Sequence, residues 1–286
     1  GQTSHGMLCS GRELGLSEAD GGGVMILASD AKVGASLVAY LGADDTIFEL
    51  SVTPNRGDSL SVLGVAREVA ALTGATLRHR PVSVPEEKTL AARIARVDVQ
   101  APDLCPHYSA RIVRGLRIEA SPLWMQTRLS MIGLRPISNV VDATNYVMVE
   151  RGQPLHAFDL ARLRGARVSA RRAGSRQRYE TLDGVVRELL PDDLVIADAE
   201  GPVALAGVIG GADSEIRPET VDVLLESAFF TPETVRRTAR RLGVSTESSY
   251  RFERGVDPAG IRIALDRVIQ LIVAHAGGQV ARGVLE

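Results

Sequence analysis

Polar side chains interrupt an otherwise apolar stretch between residues 135 and 159. Arg135, Thr144, Asn145 and His156 recur there among residues that would by themselves build a plain core. Buried polar groups cost stability unless they are paired, so this mixing indicates either a structural hydrogen-bond network or a working pocket. His156 fits both interpretations, because a histidine with a pKa of about 6.5 can act as a base or orient a water molecule.

A single carboxylate, Glu226, lies inside the apolar run of residues 223–230. Two interpretations are open for it. Glu226 is either a surface position at the end of a strand or a buried acceptor for a substrate hydroxyl.

Glycines are concentrated in residues 207–211, with Gly207, Gly210 and Gly211 in one short segment. The segment lacks the Lys-Ser/Thr of a Walker motif and the glycine spacing of a dinucleotide site. We interpret it as a tight turn that lets the backbone approach a ligand or another strand.

Arginines are densest near the end of the chain. A solvated helix face and an RNA contact both explain them, and the net charge of −2 means that any RNA contact must come from such a local patch. The residues are Arg236, Arg237, Arg240, Arg241, Arg251 and Arg254.

Other classes of site find little support in the sequence. The five histidines lack metal-ligand spacing, and no Ser-His-Asp order or nucleophile elbow is present. Cys9 and Cys105 indicate neither a disulfide framework nor a zinc site, which favours a reducing compartment. No apolar run approaches the roughly 20 residues of a membrane span, and no signal peptide is visible. We therefore expect no membrane association and a cytoplasmic protein.

Hydrophobic periodicity predicts the elements that must position these side chains. Residues 47–52 alternate as a half-buried strand, and an apolar face starting at Val62 predicts a helix that ends at Gly74. Residues 79–90 have the composition of a linker. At 286 residues the chain is long enough for two or three domains, and the missing initiator Met leads us to expect a fragment.

A larger α+β region follows the linker. Residues 95–99 alternate as a strand, Ser121 and Pro122 signal a helix start with Gly133 as its stop, and a helix is predicted over residues 139–149. Short strands broken by glycines come next. Two helices finish the chain, one starting at Thr231-Pro232 and ending at Gly243, the other starting at Asp257-Pro258.

Five stretches in the same order closely resemble the β subunit of bacterial phenylalanine-tRNA synthetase, and the resemblance runs from end to end. They are Gly6-Met7-Leu8-Cys9-Ser10, Ser51-Val52-Thr53-Pro54-Asn55-Arg56, Asn139-Val140-Val141-Asp142 with Thr144-Asn145-Tyr146-Val147, Gly152-Gln153-Pro154-Leu155-His156-Ala157-Phe158-Asp159, and Tyr250-Arg251-Phe252-Glu253-Arg254-Gly255-Val256-Asp257-Pro258.

The resemblance implies an α+β fragment with three parts. Residues 1–42 would be the end of an OB-like tRNA-binding module, residues 43–90 a small B1-like strand-helix unit, and residues 91–286 a mixed α+β editing domain of the B3/B4 type.

The resemblance also implies a function. The family's β subunit hydrolyses tyrosine wrongly esterified to tRNA(Phe), while the α subunit makes Phe-tRNA(Phe) with ATP and Mg2+. We therefore expect an α-subunit partner in a heterotetramer of two α and two β, tRNA(Phe) as a ligand, and no cofactor in this fragment. The alternative is a non-catalytic module that binds tRNA and braces the partner subunit.

Matched position by position, the family's editing pocket falls on seven residues. His156, Thr144 and Asn145 would position the ester and the attacking water, Glu226 would hold the tyrosine hydroxyl, and Arg135 would hold the tRNA end or the carbonyl region. Gly207 and Gly210 complete the substrate-binding set.

Overall fold

A computed structural model describes residues 6–14, 23–29, 31–79 and 81–286. They form two compact units. The first contains the described residues up to 49 together with residues 122–136, and the second contains residues 50–121 and 137–286. The three parts predicted from the sequence have boundaries that differ from those of these two units, and they stay predictions. Residues 1–5, 15–22 and 30 of the first predicted part lie outside the described residues.

Groups of helices and groups of strands follow one another along the described chain. The α-helices of the described residues are α1 (Leu37–Leu41), α2 (Val62–Thr73), α3 (Leu123–Met131), α4 (Asn139–Arg151), α5 (Pro232–Leu242), α6 (Glu247–Phe252) and α7 (Ile261–Ala276). The strands are β1 (Glu86–Leu90), β2 (Arg96–Val99), β3 (His107–Arg114), β4 (Leu155–Asp159), β5 (Arg167–Arg172), β6 (Gln177–Glu180), β7 (Val186–Leu189), β8 (Leu194–Ala197), β9 (Pro202–Leu205), β10 (Ile209–Gly210), β11 (Val223–Phe229) and β12 (Gln279–Arg282). The predicted α+β class is confirmed.

The first unit contains α1 and α3. Ser36 starts α1 with a side chain that accepts from the Ala39 amide, and Gly42 ends it in the left-handed conformation. No strand occurs among the described residues up to 42, so the OB-like character of this part stays a prediction.

The second unit is built on two five-stranded sheets. The first sheet has the order β1-β12-β3-β11-β4 and the second has the order β10-β9-β8-β5-β2. A buried apolar cluster joins them, with Ile112, Phe158 and Leu224 from the first sheet and Val168 and Ile196 from the second. A separate hairpin pairs β6 with β7.

Helices cover the other face of the first sheet. The Ser227 hydroxyl of β11 donates to the Ile261 carbonyl at 3.0 Å, which ties the central strand to the start of α7. The helix α4 packs against both α7 and β4. Because both faces of β11 are covered, its sequence is a nearly continuous apolar run.

Most of the predicted elements are confirmed. Helix α2 ends at Gly74, α4 covers the predicted residues and runs two residues further, α5 ends at Gly243, and a single 3-10 turn, Pro258–Gly260, precedes α7. The predicted strand at residues 95–99 is β2. The short helix α6 was not expected.

Three expectations are wrong. Residues 47–52 form no strand, since Phe48 is 78% exposed and no neighbouring strand pairs with them among the described residues. The supposed linker contains β1, which pairs in parallel with β12, a partner almost 200 residues away that local composition does not reveal. Ser121 does not cap α3; its hydroxyl donates to the buried Asp142 carboxylate instead.

An arginine in β3 joins three elements of the second unit. Arg111, 6% exposed, lies 2.6 Å from Glu86 of β1 and 2.8 Å from Asp266 of α7. Removing one member of a buried ionic group leaves the other charges uncompensated. Arg111 therefore contributes to holding the sheet edge and α7 together.

We expect Arg111→Met to lower the free energy of unfolding by about 2 kcal/mol, since Glu86 and Asp266 keep part of their solvent contact. The matched control is Arg114→Met on the same strand, whose ion pair with Glu87 spans 3.5 Å and is 41% exposed on the arginine side. That variant should cost under about 1 kcal/mol. Urea unfolding measures both, and equal losses would contradict the assigned role of Arg111.

Candidate functional site

Glu226 is the fourth of the seven residues of β11, the strand that lies between β3 and β4. It is only 7% exposed, which excludes the surface interpretation. Its side chain is on the same face of the strand as Leu224 and Ala228, which belong to the apolar cluster between the two sheets. The carboxyl group is therefore a buried acceptor.

The Glu226 carboxylate has one hydrogen-bond donor among the described residues. The Tyr108 hydroxyl of β3 donates to Glu226 Oε2 at 2.6 Å, and Oε1 has no such partner. Burial raises the pKa of Glu226 to about 7, and the hydrogen bond from Tyr108 opposes that rise. Burial therefore favours the protonated form of Glu226 more than in an exposed carboxyl group.

His156 stands directly opposite Glu226, on β4. Paired positions of neighbouring strands carry their side chains on the same face of the sheet. The His156 ring packs edge to face on Phe158, with centroids 4.4 Å apart, and its Nε2 atom is shielded from solvent with no partner among the described residues. Burial lowers the pKa of His156 to about 4, so the imidazole is neutral at pH 7.

Gly210, in the edge strand β10, lies against the His156 ring. A Cβ at this position would lie 2.7 Å from His156 Cε1 and 2.8 Å from Leu182 Cδ1. The Leu182 amide, in the turn between β6 and β7, also donates to the Gly210 carbonyl at 3.0 Å. A side chain larger than hydrogen would push this edge away from His156.

Gly207 forms the turn between β9 and β10 with a φ of +71°. A Cβ there would approach Val235, Phe230 and Phe252 to within 2.9–3.0 Å. Helix α6 holds the turn from the other side, since Ser248 donates to the Gly207 carbonyl at 3.2 Å. The predicted tight turn is confirmed at residues 206–208, while residues 209–210 form the strand β10.

Thr144 and Asn145 lie on α4, the helix that leads into β4. The Thr144 hydroxyl is buried and donates to the Val141 carbonyl at 2.6 Å, while Asn145 is half-buried. No hydrogen bond connects either residue to His156 or Glu226. Arg135 is an exposed residue of the first unit. The structure thus brings His156, Glu226 and Gly210 into one cluster, to which Thr144 and Asn145 make no hydrogen bond.

Tyr108 is a side chain of this cluster that the sequence alone does not single out. Tyr108, Ala110 and Ile112 alternate with more polar neighbours in β3, and this period of two could have placed the phenol on an inward face. The pairing of β3 with β11, more than 100 residues later, had no local signal.

Other features of the second unit do not join this cluster. One cleft is lined by residues that include Arg67 and Arg151, and another by residues that include Asp159 and Arg162; neither is lined by His156 or Glu226. Across the described part of the chain, no three His, Cys, Asp or Glu side chains are grouped to hold a metal ion. Within the same residues, no helix has the length and apolar character needed to cross a membrane.

The dense arginines have divided roles. Arg241 pairs with Asp193, Arg251 with Glu247, and Arg254 with Glu253. The remaining three, on the outer face of α5, are exposed without an ion pair to any described residue: Arg236, Arg237 and Arg240. Half of the stretch is therefore structural, and both earlier explanations stay open for the rest.

Comparisons with known proteins place the chain in a family. The model of the B3/4 domain matches residues 104–277. Phenylalanine–tRNA ligase β subunits are similar over the whole chain: that of Syntrophus aciditrophicus is 49% identical, that of Geobacter metallireducens 50% and that of Moorella thermoacetica 51%. The chain spans 35% of the first of these relatives and 36% of the other two.

A solved structure also matches. It is an N-terminal fragment of the phenylalanyl-tRNA synthetase β-subunit from Pyrococcus horikoshii, with 15% sequence identity and a TM-score of 0.44 over 81% of this chain and 61% of that one. Because the B3/4 model covers more than half of the residues, the chain belongs to the B3/4 domain family, and the predicted resemblance to phenylalanine–tRNA ligase β subunits is confirmed.

Proposed function

We propose that this chain is the editing segment of a bacterial phenylalanine–tRNA ligase β subunit. It hydrolyses tyrosine wrongly esterified to tRNA(Phe) and so supports the synthesis of Phe-tRNA(Phe) by the α subunit. The observation that carries this proposal is the buried Glu226 carboxylate, directly across from His156. Among the residues that the structure describes, it has one donor on Oε2 and none on Oε1.

The chemistry of the two amino acids explains why such a carboxylate is useful. A synthetic site shaped for phenylalanine rejects tyrosine only partly, because an apolar pocket discriminates weakly against one added hydroxyl. A second site can select for that hydroxyl. The tyrosyl hydroxyl would donate to Glu226 Oε1, whereas a phenylalanyl ring would leave the desolvated carboxylate unpaired at a cost of about 1–3 kcal/mol. The correct product is thereby protected from hydrolysis.

His156 is suited to orienting water rather than to taking its proton. A base is most effective when its pKa is near the working pH, and the pKa of His156 is about 4. The neutral imidazole can still hydrogen-bond through Nε2, which no other residue in the described ranges pairs with. We therefore assign His156 to positioning the attacking water or the ester carbonyl.

The remaining members of the site have different degrees of support. Gly210 is supported by its contact with His156, and Gly207 by the turn that brings Gly210 there. Thr144 and Asn145, at the ester, and Arg135, at the tRNA end or carbonyl region, are proposed from the sequence resemblance alone.

The complete enzyme has further requirements that we propose from the family. An α subunit would join this β subunit in a heterotetramer, tRNA(Phe) would be bound, and ATP and Mg2+ would serve aminoacylation outside this chain. Such an enzyme would act in the cytoplasm.

Two substitutions in the assembled α/β enzyme test the editing role. We expect His156→Ala to lower the rate of Tyr-tRNA(Phe) deacylation by roughly tenfold or more, because a misplaced water reacts more slowly. Glu226→Ala should lose deacylation of Tyr-tRNA(Phe) as well, since the tyrosyl group is no longer held. Both variants should still charge phenylalanine.

The control is His79→Ala, which removes an exposed histidine from the same unit and should leave deacylation unchanged. Thermal melts of all variants separate lost activity from lost fold. Wild-type deacylation in both the His156 and the Glu226 variant would reject the editing role and favour the non-catalytic module that binds tRNA and braces α.

The raised pKa of Glu226 predicts how stability depends on pH. The folded chain binds this proton more tightly than the unfolded chain, so the contribution of Glu226 to stability is lost as pH rises from about 4.5 to about 7. Glu226→Gln cannot titrate. As the pH rises from about 5 to about 8, the free energy of unfolding of Glu226→Gln should therefore increase relative to that of wild type by up to about 3 kcal/mol.

Urea unfolding at the two pH values measures this difference, with the exposed Glu233→Gln on α5 as the control. If the difference in free energy of unfolding between Glu226→Gln and wild type does not change with pH, then the pKa of Glu226 is not raised by folding.

A further inference from the structure

Tyr108 occupies the position beside Glu226 from which a side chain can reach its carboxylate. Glu226 pairs with Ala110 across the strands, and Tyr108 pairs with Ala228, which makes Tyr108 the diagonal neighbour of Glu226 on the same face. Diagonal neighbours lie within reach of an aromatic side chain. Tyr108 is 2% exposed and belongs to the core between the two sheets, so its phenol has a fixed place.

Few groups near the Glu226 carboxylate can donate a hydrogen bond to it or pair with its charge. Those that face it are Tyr108 on β3, Cys105 just before β3, and His156 on β4. No arginine or lysine of the described residues forms an ion pair with Glu226. The hydrogen bond from the Tyr108 hydroxyl to Oε2 therefore fixes the orientation of the Glu226 carboxylate.

We propose that Tyr108 is a specificity-determining positioning residue, whose phenol holds Glu226 Oε2 so that Oε1 is left for a second phenol, that of the tyrosyl substrate. This inference rests on the proposed editing function. It adds that the selectivity of the pocket depends on two phenols sharing one carboxylate, one from the protein and one from the substrate.

The shared carboxylate explains why a protein phenol suits this position better than a cation. A cation would form a strong ion pair with the carboxylate and would compete with a neutral hydroxyl for both oxygens. A phenol supplies one neutral donor and leaves the second oxygen without a partner. Burial, followed by the charge of Glu226, raises the pKa of Tyr108, which keeps its hydroxyl protonated and donating.

Removal of the Tyr108 hydroxyl should change Glu226 in two ways. The carboxyl group would lose the bond that fixes its rotation, and its ionised form would lose its one stabilising donor. Because a hydrogen bond to the charged form lowers the pKa of a carboxyl group, the loss should raise the pKa of Glu226 above about 7.

Tyr108→Phe in the assembled α/β enzyme tests the inference. We measure deacylation of Tyr-tRNA(Phe) and of Phe-tRNA(Phe) over a pH series from about 6 to about 9, with spontaneous ester hydrolysis subtracted. The expected result is a roughly tenfold fall in the ratio of the tyrosyl to the phenylalanyl rate at neutral pH, the effect of losing one hydrogen bond to a charged group. The ratio should rise with pH as Glu226 ionises, and in Tyr108→Phe this rise should occur at a higher pH than in wild type.

Tyr179→Phe is the matched control, because it removes another shielded phenol hydroxyl that has no hydrogen-bond partner in the described part of the chain. It should change neither the ratio nor its pH dependence. A double substitution, Tyr108→Phe with Glu226→Gln, should lower the ratio no further than Glu226→Gln alone, since Tyr108 acts through that carboxylate.

The outcomes separate this inference from the proposed function. A wild-type enzyme that deacylates Tyr-tRNA(Phe), together with a Tyr108→Phe enzyme of unchanged ratio and unchanged pH profile, would overturn the role of Tyr108 and leave editing intact. A fall in both rates without a change in their ratio would also overturn it, because it would show a general structural effect. A wild-type enzyme without deacylation would overturn the proposed function and the inference with it.

Discussion

The hydrogen bond between Tyr108 and Glu226 keeps an ionisable carboxyl group inside an apolar sandwich. Burying a charge without a partner costs several kcal/mol, and proteins avoid that cost by pairing the group or by keeping it protonated. Here both devices operate at once, since a phenol donates to one oxygen and burial raises the pKa of Glu226 to about 7. The other carboxyl oxygen, Oε1, can accept a hydrogen bond from one further donor.

The rest of the second unit maintains the apolar surroundings of that carboxyl group. Ser227, the next residue, points to the opposite face and bonds to the start of α7, which fixes the rotation of β11. Arg111 links the sheet to β1 and α7, and the second sheet closes over the inner face. Gly210 allows the edge of that second sheet to reach the His156 ring. The packing that stabilises the fold is thus the same packing that desolvates the site.

Local sequence patterns predicted where helices and strands lie better than they predicted which strands pair with each other. The helices α2, α4, α5 and α7 were predicted from local signals such as apolar faces, proline starts and glycine stops, whereas the apolar run around Glu226 left a surface and a buried carboxylate both open. The pairing of His156 with Glu226 joins strands 70 residues apart in sequence, and no periodicity encodes such a distance. For the same reason the composition of residues 79–90 indicates a linker where β1 lies, and no local pattern shows that Tyr108 meets Glu226. The alternation of residues 47–52 was misleading because a strand also needs a neighbour to pair with.

A structure of the assembled enzyme with a non-hydrolysable tyrosyl ester analogue of the tRNA 3′ end would test the central claim most directly. The quantity to measure is the distance from the tyrosyl hydroxyl to Glu226. Our account predicts a hydrogen bond of about 2.5–3.0 Å to Oε1, with Tyr108 still bonded to Oε2 and the ester beside His156. A tyrosyl hydroxyl bound away from Glu226, in the cleft at Arg67 or elsewhere, would contradict it.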